Sequence, residues 1–376
     1  MTAWIRDPEA LGAYVEGLRG RRALALDSES DSLHHHVEKV CLLQLAGDDG
    51  AVALVDPLAL RDLSPLGPLL ADAGMTKVLH GADYDVTTLK RDFGFEFAGL
   101  FDTMLAARLL GRKELGLQAL CAAELGVTLS KDSQRDDWSV RPLTPRQEHY
   151  AAEDVRHLIV LMERLRAELV ARGRLAWLEE ECEAVAALPA AARRSDPEAF
   201  LRVKGASRLA PRALAVLREV FAWRERQAEA SDIPAFKILG TETLLALAVS
   251  PPADGATLAK ARGLSPLARR HAAELHAAVR RALELPEAEC PRYPRPPRPI
   301  VPDEVLRRVQ ALRQWREQEA QRQALDVSVV LPQRLLEKVA EAAPRSTEAL
   351  LEVPGLRRWR VATFGAELLS VLARVR

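Results

Sequence analysis

The sequence predicts an α/β domain with a mixed sheet, followed by two small all-α domains. Strand-like and helical segments alternate in the first third of the chain, and apolar residues recur at helical spacing from Thr103 to Ala192. A segment further along repeats at a constant offset. The 376 residues, 48% of them hydrophobic, suffice for two or three domains. The expected domains are 1–192, 205–285 and 303–376, with a linker at 286–302.

The first third contains the strands of the predicted sheet. Three strand-like runs are Ala23–Asp27, Val40–Leu45 and Ala51–Val55. The turn Gly47-Asp48-Asp49-Gly50 predicts an antiparallel hairpin between the second and third runs. The next predicted elements are a helix near 62–73, a strand Lys77–Leu79 and a helix from Ala82 to Phe93 that ends at Gly94.

Later segments are helical apart from one proline-rich stretch. Thr144-Pro145 predicts the start of a helix that carries Tyr150 and Asp154. Residues 286–302 contain seven prolines in seventeen positions, which predicts an extended, semi-rigid linker.

An internal repeat flanks this linker. Trp223-Arg224-Glu225 recurs as Trp315-Arg316-Glu317, and every further match keeps the same offset of 92 residues. The further matches are Leu239 with Leu331, Leu244 with Leu336, Ala248 with Ala340, Leu258 with Leu350 and Gly263-Leu264 with Gly355-Leu356. A single register over about forty residues predicts two copies of one helical domain.

The charge is balanced over the whole chain but not within its parts. Residues 1–199 hold 23 Lys and Arg against 33 Asp and Glu, whereas residues 200–376 hold 30 against 20. This asymmetry indicates a polyanion partner, although ordinary solvated faces would also explain it. Four widely spaced cysteines and the absence of a leader-like or membrane-spanning run predict a cytoplasmic protein with reduced thiols. We expect a monomer.

Three acidic motifs are candidates for a catalytic site. Asp27 and Glu29 follow a buried strand and point to one face, Asp85 lies in the first turn of a helix, and Tyr150 and Asp154 share one helix face. Each motif alone has an ordinary explanation. Acids are common in turns after strands, an acid in a first turn complements the helix dipole, and a helix tyrosine can simply pack on its own turn.

Together, the motifs resemble those of the tyrosine branch of the DEDD exonuclease superfamily, and in particular the ribonuclease D family. The likeness extends to the connecting text: His80-Gly81-Ala82-Asp83, Phe101-Asp102-Thr103, Ala107-Arg108-Leu109-Leu110, Asp137-Trp138-Ser139-Val140-Arg141-Pro142-Leu143 and Tyr150-Ala151-Ala152-Glu153-Asp154-Val155. The two repeats resemble the HRDC domains (helicase and RNase D C-terminal) of that family. The resemblance implies a ribonuclease H-like exonuclease domain followed by two HRDC-like domains.

The resemblance also implies site residues and a cofactor. Asp27, Glu29, Asp85 and Asp154 would hold two divalent cations, Mg²⁺ or Mn²⁺, and Tyr150 would orient the attacking water. Clustered carboxylates independently favour such cations, because they repel one another unless neutralised and offer hard oxygen ligands.

We expect His80, Trp138 and Arg141 to contact substrate, although Trp138 could equally be a packing anchor.

The sequence departs from the family pattern at three places. Gly81 stands where many DNA-proofreading relatives have Asn, which favours RNA processing. Ser28 stands where several relatives carry Thr or an apolar residue, and its side chain should point away from the two carboxylates beside it, so this departure carries little weight. His34, His35 and His36 cannot all point at one ion in regular structure, so we do not predict them as ligands.

The repeats also carry clustered arginines, which could steer RNA or could pack domains together. They include Arg269-Arg270, Arg280-Arg281 and Arg357-Arg358-Arg360.

The leading functional prediction is a 3′-5′ exoribonuclease that trims tRNA precursors or other structured RNA with a single-stranded 3′ end, releasing nucleoside 5′-monophosphates. One alternative is a 3′-5′ DNA exonuclease of the Werner type. A preference for substrates with a 2′-hydroxyl would distinguish the exoribonuclease from it. Another is a catalytically inactive RNA-binding scaffold. A missing acidic ligand would have indicated such a scaffold, and all four acids of the motifs are present in the sequence.

Overall fold

The computed structural model describes residues 2–130, 132–192, 196–294 and 301–375. The chain forms two compact units. The first comprises Met1–Ser30, Val40–Ala191 and Pro299–Arg376, and the second comprises Asp31–Lys39 and Ala192–Arg298. The second repeat therefore shares a unit with the α/β domain. The predicted domain bounds stay predictions, and positions 295–300 of the predicted linker lie outside the described residues.

A six-stranded sheet lies at the centre of the first unit's α/β domain. Its strands are β1 (Thr2–Ile5), β2 (Ala23–Ser30), β3 (Val40–Gly47), β4 (Val52–Val55), β5 (Thr76–Leu79) and β6 (Leu100–Asp102). The order is β1-β4-β3-β2-β5-β6. The β2-β3-β4 pairs are antiparallel, whereas the β1-β4, β2-β5 and β5-β6 pairs are parallel. The predicted mixed sheet is confirmed, and so is the β3-β4 hairpin.

Helices cover both faces of this sheet. They are α1 (Pro8–Leu18), α2 (Gly67–Ala71), α3 (Asp83–Phe93), α4 (Thr103–Leu109), α5 (Leu117–Leu120), α6 (Pro145–Arg156), α7 (Leu158–Ala171) and α8 (Leu175–Ala186). A 3₁₀ turn, Ser64–Leu66, precedes α2, and a π-helical turn, Cys121–Leu125, follows α5. The helix predicted near 62–73 is therefore split between a 3₁₀ turn and a short α-helix.

The central strand β2 contributes to a different core on each face. Ala23 and Ala25 pack into the core that includes α4, α7 and α8, whereas Leu24 and Leu26 pack into the core that includes α1 and α3. Its first four residues are buried and its last four are partly exposed. The buried half anchors the strand, so the polar half is held at a fixed place where the sheet opens.

The two helical repeats have matching elements. The first contains α9 (Pro211–Ser231), α10 (Ala235–Ile238), α11 (Thr241–Val249), α12 (Gly255–Ala259), α13 (Pro266–Arg270) and α14 (Ala272–Glu284). The second contains α15 (Asp303–Gln323), α16 (Val327–Val330), α17 (Gln333–Ala342), α18 (Thr347–Leu351) and α19 (Arg358–Arg374). The start of every helix from α9 to α13 recurs 92 residues later, which confirms the repeat.

A shared hydrogen bond supports this match. Arg224 donates to the carbonyl of Leu239 at 3.3 Å, and Arg316 donates to the carbonyl of Leu331 at 2.9 Å. A 3₁₀ turn at Glu287–Glu289 follows the last helix of the first repeat.

The second repeat packs on α8 of the α/β domain. Trp359 stacks on Trp177 with ring centroids 4.4 Å apart. Arg360, 8% exposed, donates to Glu181 at 2.7 Å, and the backbone N–H groups of Arg358 and Trp359 donate to Glu180 at 2.8 Å. Of the two roles that the sequence left open for the arginines of this repeat, Arg360 has the packing role, and Arg357 also pairs with Glu181, whereas the Arg358 side chain is 77% exposed.

Across the described residues, none of the helices combines the length and apolar character needed to cross a bilayer. The four cysteines are free and buried, as predicted from their spacing.

Candidate active site

Two carboxylates of the candidate site lie at the polar end of β2. Asp27 and Glu29 continue the face of Ala23 and Ala25 because side chains alternate along a strand. Antiparallel pairing with β3 places Asp27 opposite Gln44 and Glu29 opposite Leu42. Gln44 and Leu42 are both buried, so pairing with β3 fixes the positions of both carboxylates.

Helix α3 contributes a third carboxylate from the other face of β2. Asp85 lies in the first turn of α3 and is 6% exposed. The hydroxyl of Ser28 donates to Asp85 Oδ1 at 2.5 Å. The prediction that Ser28 points away from Asp27 and Glu29 agrees with strand alternation. The sequence analysis did not foresee the contact with Asp85, which arises because α3 covers the opposite face and brings Asp85 to Ser28.

Helix α6 contributes the fourth carboxylate and the phenol. Thr144 and Gln147 form a capping box at its start, so the helix begins at the predicted residue, Pro145. Asp154 lies with Asp27 and Glu29 in a group in which one carboxylate oxygen of each residue is within 4.8 Å of the other two. Tyr150, one turn earlier on the same helix, faces Asp154 and Glu29.

These residues line a cleft of about 370 Å³. The lining comprises Asp27, Ser28, Glu29, His80, Gly81, Tyr84, Asp85, Gly116, Leu117, Gln118, Ser130, Gln134, Tyr150, Asp154 and Leu158. None of these described lining residues is Lys or Arg. A bound phosphodiester would therefore meet acidic groups unless a cation lay between them.

The acids perturb one another strongly. Burial, and then the charge of Asp154, raises the pKa of Asp27 to about 8. Burial also raises the pKa of Asp154 to about 7. The pKa values of Glu29 and Asp85 are well above their usual range, first because both are desolvated and then because Asp27 is near.

This donor set fits a divalent cation. A cation would replace the protons that repulsion otherwise holds on the carboxylates, and the ligands are hard oxygens. Beside the site, the Gln44 side chain is fully buried, and its amide has no hydrogen-bond partner among the described residues. Asp27, Glu29 and Asp154 are the only described group of three or more potential ligands within such distances, so the three histidines do not form a second one.

Asp102 organises the loop that leads into α3, a role that the sequence analysis missed. Its carboxylate accepts hydrogen bonds from the N–H groups of Gly81 and Ala82 at 3.0 and 2.9 Å, and it also caps α4. Gly81 has a φ of +74°, which favours glycine. Phe101-Asp102-Thr103 contributed to the family resemblance, and the signal for its role was an acid between a strand end and a helix start.

His80 lies in the cleft, as a substrate-contacting residue would. Its Nδ1 is 2.9 Å from the hydroxyl of Thr103, which itself donates to the carbonyl of Leu79. Burial lowers the pKa of His80, which favours the neutral ring at neutral pH. Contact between His80 and substrate stays a prediction.

Trp138 does not lie where it could stack on a base. The ring is 1% exposed and packs with Cys41, Leu42 and Leu54, with its centroid 6.0 Å from that of Tyr150. The prediction of substrate stacking is therefore wrong for this structure. Trp138 instead supports the face of α6 that carries Tyr150.

The donors of Arg141 also bind groups of the protein itself. Arg141 forms a bidentate salt bridge with Asp56, at 2.7 and 2.9 Å, and donates to the carbonyl groups of Cys41 and Trp138. These bonds use its donors to join the 138–141 segment to β3 and to Asp56, which directly follows β4, so the prediction that it binds phosphate has no support in this structure.

The fold and site together define a class of protein. Strand β2 of the mixed sheet contributes two carboxylates, and helices α3 and α6 contribute two further carboxylates and a phenol. All five groups line an open cleft whose acidic charge must be neutralised by cations before a phosphodiester can bind. This arrangement defines a metal-dependent nuclease with a ribonuclease H-like fold and helical accessory domains.

Comparison with known proteins agrees with this class and narrows it. Residues 2–170 match a 3′-5′ exonuclease family, and residues 213–279 and 305–372 each match the HRDC domain. Ribonuclease D of Pseudomonas paraeruginosa is 36% identical over 98% of this chain and 97% of its own length. Ribonuclease D of Granulibacter bethesdensis is 34% identical over 98% of this chain and 91% of its own length.

Solved structures are similar along the whole chain. Escherichia coli RNase D superposes with a TM-score of 0.72 at 28% identity, covering 100% of this chain and 99% of that one. A protein from Bifidobacterium adolescentis superposes with a TM-score of 0.82 at 26% identity, covering 99% and 97%. The chain belongs to the ribonuclease D family and is a hydrolytic 3′-5′ exoribonuclease. The divalent-metal dependence of its exonuclease superfamily is consistent with the acidic cluster.

Proposed function

We propose that this enzyme removes nucleotides from the 3′ end of structured RNA, such as tRNA precursors, with two divalent cations held by Asp27, Glu29, Asp85 and Asp154. The convergence of four carboxylates on one cleft carries this proposal. Mg²⁺ or Mn²⁺ suits these oxygen ligands better than zinc does. The expected products are nucleoside 5′-monophosphates.

Two bound cations would stabilise both the attacking and the leaving oxygen of an in-line displacement. Asp27 is near enough to both Asp154 and Asp85 for their charges to interact, so it is a candidate ligand for both cations. Asp85, held by Ser28, and Asp154, beside Tyr150, would complete the two sites from opposite sides of β2.

Tyr150 positions the attacking water in this proposal. Burial and the neighbouring Asp154 raise the pKa of the phenol far above its ordinary value. The phenol therefore keeps its proton at neutral pH, where it can donate one hydrogen bond and accept another. Positioning is accordingly a better role for it than proton abstraction.

RNA is the proposed substrate because the relatives similar over the whole chain are ribonucleases. Escherichia coli RNase D is described as an exoribonuclease involved in structured RNA processing, which supports the same substrate class here. A cytoplasmic location and a monomeric state stay predictions.

Analysis of products and of bound cations tests the proposal. A tRNA precursor with an extended 3′ end is incubated with wild type in Mg²⁺, Mn²⁺ or EDTA, and the products are separated by anion exchange. We expect nucleoside 5′-monophosphates that are absent in EDTA. Titration with Mn²⁺, followed by electron paramagnetic resonance, should detect two bound ions in wild type and fewer in Asp154→Asn.

Nucleoside 3′-monophosphates as products would contradict the proposed displacement. A single bound ion in wild type during the Mn²⁺ titration would contradict the two-cation site.

A further inference from the structure

Gln44 is a polar residue in the middle of the apolar strand β3. Its neighbours Leu43 and Leu45 pack into the core that includes α1 and α3, so the Gln44 side chain points to the opposite face of the sheet. The side chain is fully buried, and neither its amide nitrogen nor its amide oxygen has a hydrogen-bond partner among the described residues. An unpaired buried amide destabilises a fold, so packing alone would favour an apolar residue at this position.

Strand pairing places this amide beside Asp27. Gln44 is directly opposite Asp27 on β2 and directly opposite Leu54 on β4. Directly opposite residues of an antiparallel pair project to the same face, with their Cβ atoms about 4.5–5.5 Å apart. The β3 residues on either side of Gln44 that share this face are Leu42 and Ala46, whose side chains are apolar. Gln44 is therefore the residue of β3 that can donate to the Asp27 carboxylate.

Two other acids of the site already have side-chain donors. The hydroxyl of Ser28 donates to Asp85 at 2.5 Å, and the phenol of Tyr150 forms a hydrogen bond with Asp154. Asp27 accepts a hydrogen bond from the backbone N–H of Ser28, but no side chain donates to it within the part of the chain that the structure describes. Of these three acids, Asp27 is thus the one without side-chain support.

We infer that Gln44 is a positioning residue for the cation site: its amide nitrogen donates to one carboxylate oxygen of Asp27 and keeps the other oxygen turned to the cleft. The inference rests on the proposed function, because it takes Asp27 as a cation ligand. Ligating carboxylates are themselves hydrogen-bonded, and these outer partners fix their orientation. The bond forms as the Asp27 carboxylate turns into its ligating orientation, so the amide is paired in the cation-loaded enzyme.

The surroundings of the amide argue against a role in packing alone. Leu42 and Leu54, which lie beside Gln44 on this face, pack against Trp138. The indole N–H of Trp138 is also buried without a partner among the described residues. The two unpaired groups do not bond to each other, so the amide does not serve to hold the Trp138 ring.

Substitution of Gln44 by methionine tests the inference, because methionine has a similar volume and no amide. Calorimetric titration of Mn²⁺ into the metal-free full chain measures cation affinity, and thermal melting in EDTA measures stability. We expect Gln44→Met to weaken Mn²⁺ binding about 10–100-fold, with a Tm in EDTA equal to or above that of wild type because an unpaired buried amide is removed. Leu54→Met, on the same face but on the strand away from Asp27, is the control and should bind Mn²⁺ as wild type does.

A double-mutant cycle with Asp27→Asn shows whether Gln44 acts through Asp27. We expect Gln44→Met to change the Mn²⁺ affinity of Asp27→Asn by under about twofold. A crystal structure of wild type with Mg²⁺ provides a measurement that needs no variant. We expect Gln44 Nε2 to lie about 2.7–3.2 Å from a carboxylate oxygen of Asp27 in that structure.

Wild-type Mn²⁺ affinity in Gln44→Met, or an equal loss in Leu54→Met, would overturn the inference. A lower Tm of Gln44→Met in EDTA would also overturn it, because the amide would then support the fold rather than the cation site. The same holds for an undiminished effect of Gln44→Met in Asp27→Asn, or for a separation above about 3.5 Å in the Mg²⁺ structure. If wild type bound no Mn²⁺, the proposed function would fail as well, whereas equal binding by wild type and Gln44→Met would refute the role of Gln44 alone.

Discussion

Ser28→Ala should weaken cation binding although Ser28 is not itself expected to bind the cation. Its hydroxyl donates to Asp85 Oδ1 at 2.5 Å, and Asp85 is 6% exposed. A hydrogen bond to a charged group contributes about 1.5–3 kcal/mol. Without it, the carboxylate can rotate away from its cation-binding orientation. Removing a group that orients a metal ligand typically costs about 10–100-fold in metal affinity or activity.

The assay is a set of Mg²⁺ activation curves on a short RNA, together with calorimetric titration of Mn²⁺ in the absence of RNA. We expect the half-saturating concentration of metal to rise about 10–100-fold for Ser28→Ala, whereas Ser28→Thr keeps the hydroxyl and stays near wild type. Thr87→Ala removes an exposed hydroxyl from the same helix as Asp85 and serves as the control. Unchanged Mn²⁺ affinity in Ser28→Ala, or equal loss in Ser28→Thr, would refute the reasoning.

Three further predictions concern the phenol, the acids and the second repeat. Tyr150→Phe should lower kcat roughly 10²-fold, the scale expected when a reacting group is misplaced, with little change in Mn²⁺ affinity. A parallel loss of metal binding would contradict a positioning role. In EDTA, the raised pKa values of Asp27 (about 8) and Asp154 (about 7) mean that the folded protein retains protons that the unfolded chain releases above its ordinary pKa of 3.8. Their contribution to stability is therefore present below pH 4 and lost as the pH rises to about 8. Thermal melting should show Tm falling from pH 5 to pH 8, less so for Asp27→Asn or with added Mg²⁺; identical profiles for wild type and Asp27→Asn would argue against the shift. Trp359→Ala should lower the free energy of unfolding by about 3–5 kcal/mol in urea, whereas Arg358→Ala, at a side chain 77% exposed, should change it by under about 1 kcal/mol.

The sequence predicted the mixed sheet and the repeat well because both depend on local patterns. Alternating apolar runs and the Gly47–Gly50 turn predict β2, β3 and β4, and a constant offset predicts the two helical domains. Strands β1 and β6 were not predicted. They have four and three residues, so they are too short for a recognisable pattern and depend on pairing with β4 and β5.

The acids and the tyrosine of the candidate site could be predicted from the sequence, but the residues that position them could not. From their spacing alone, Asp27, Asp85 and Tyr150 each had an ordinary structural explanation. The family resemblance predicted that they form one site, and the structure places all three in one cleft. The contact of Ser28 with Asp85 was not foreseen, and the choice between substrate stacking and packing for Trp138 stayed open, because each depends on which helix covers which face of the sheet. Strand alternation predicts the direction of Ser28 but not that α3 brings Asp85 to meet it.

Comparison of Asp85→Ala with Asp83→Ala tests the central claim most directly. Both acids lie in the first turn of α3, but Asp83 is exposed, whereas Asp85 is buried at the cleft. The substrates are a 5′-labelled single-stranded RNA and the matching DNA, each with Mg²⁺ or EDTA. The account predicts a Mg²⁺-dependent ladder that shortens from the 3′ end of RNA for wild type and Asp83→Ala, and no ladder for Asp85→Ala. Equal activity of the two variants would mean that Asp85 only complements the helix dipole, and preferential digestion of DNA would contradict an exoribonuclease.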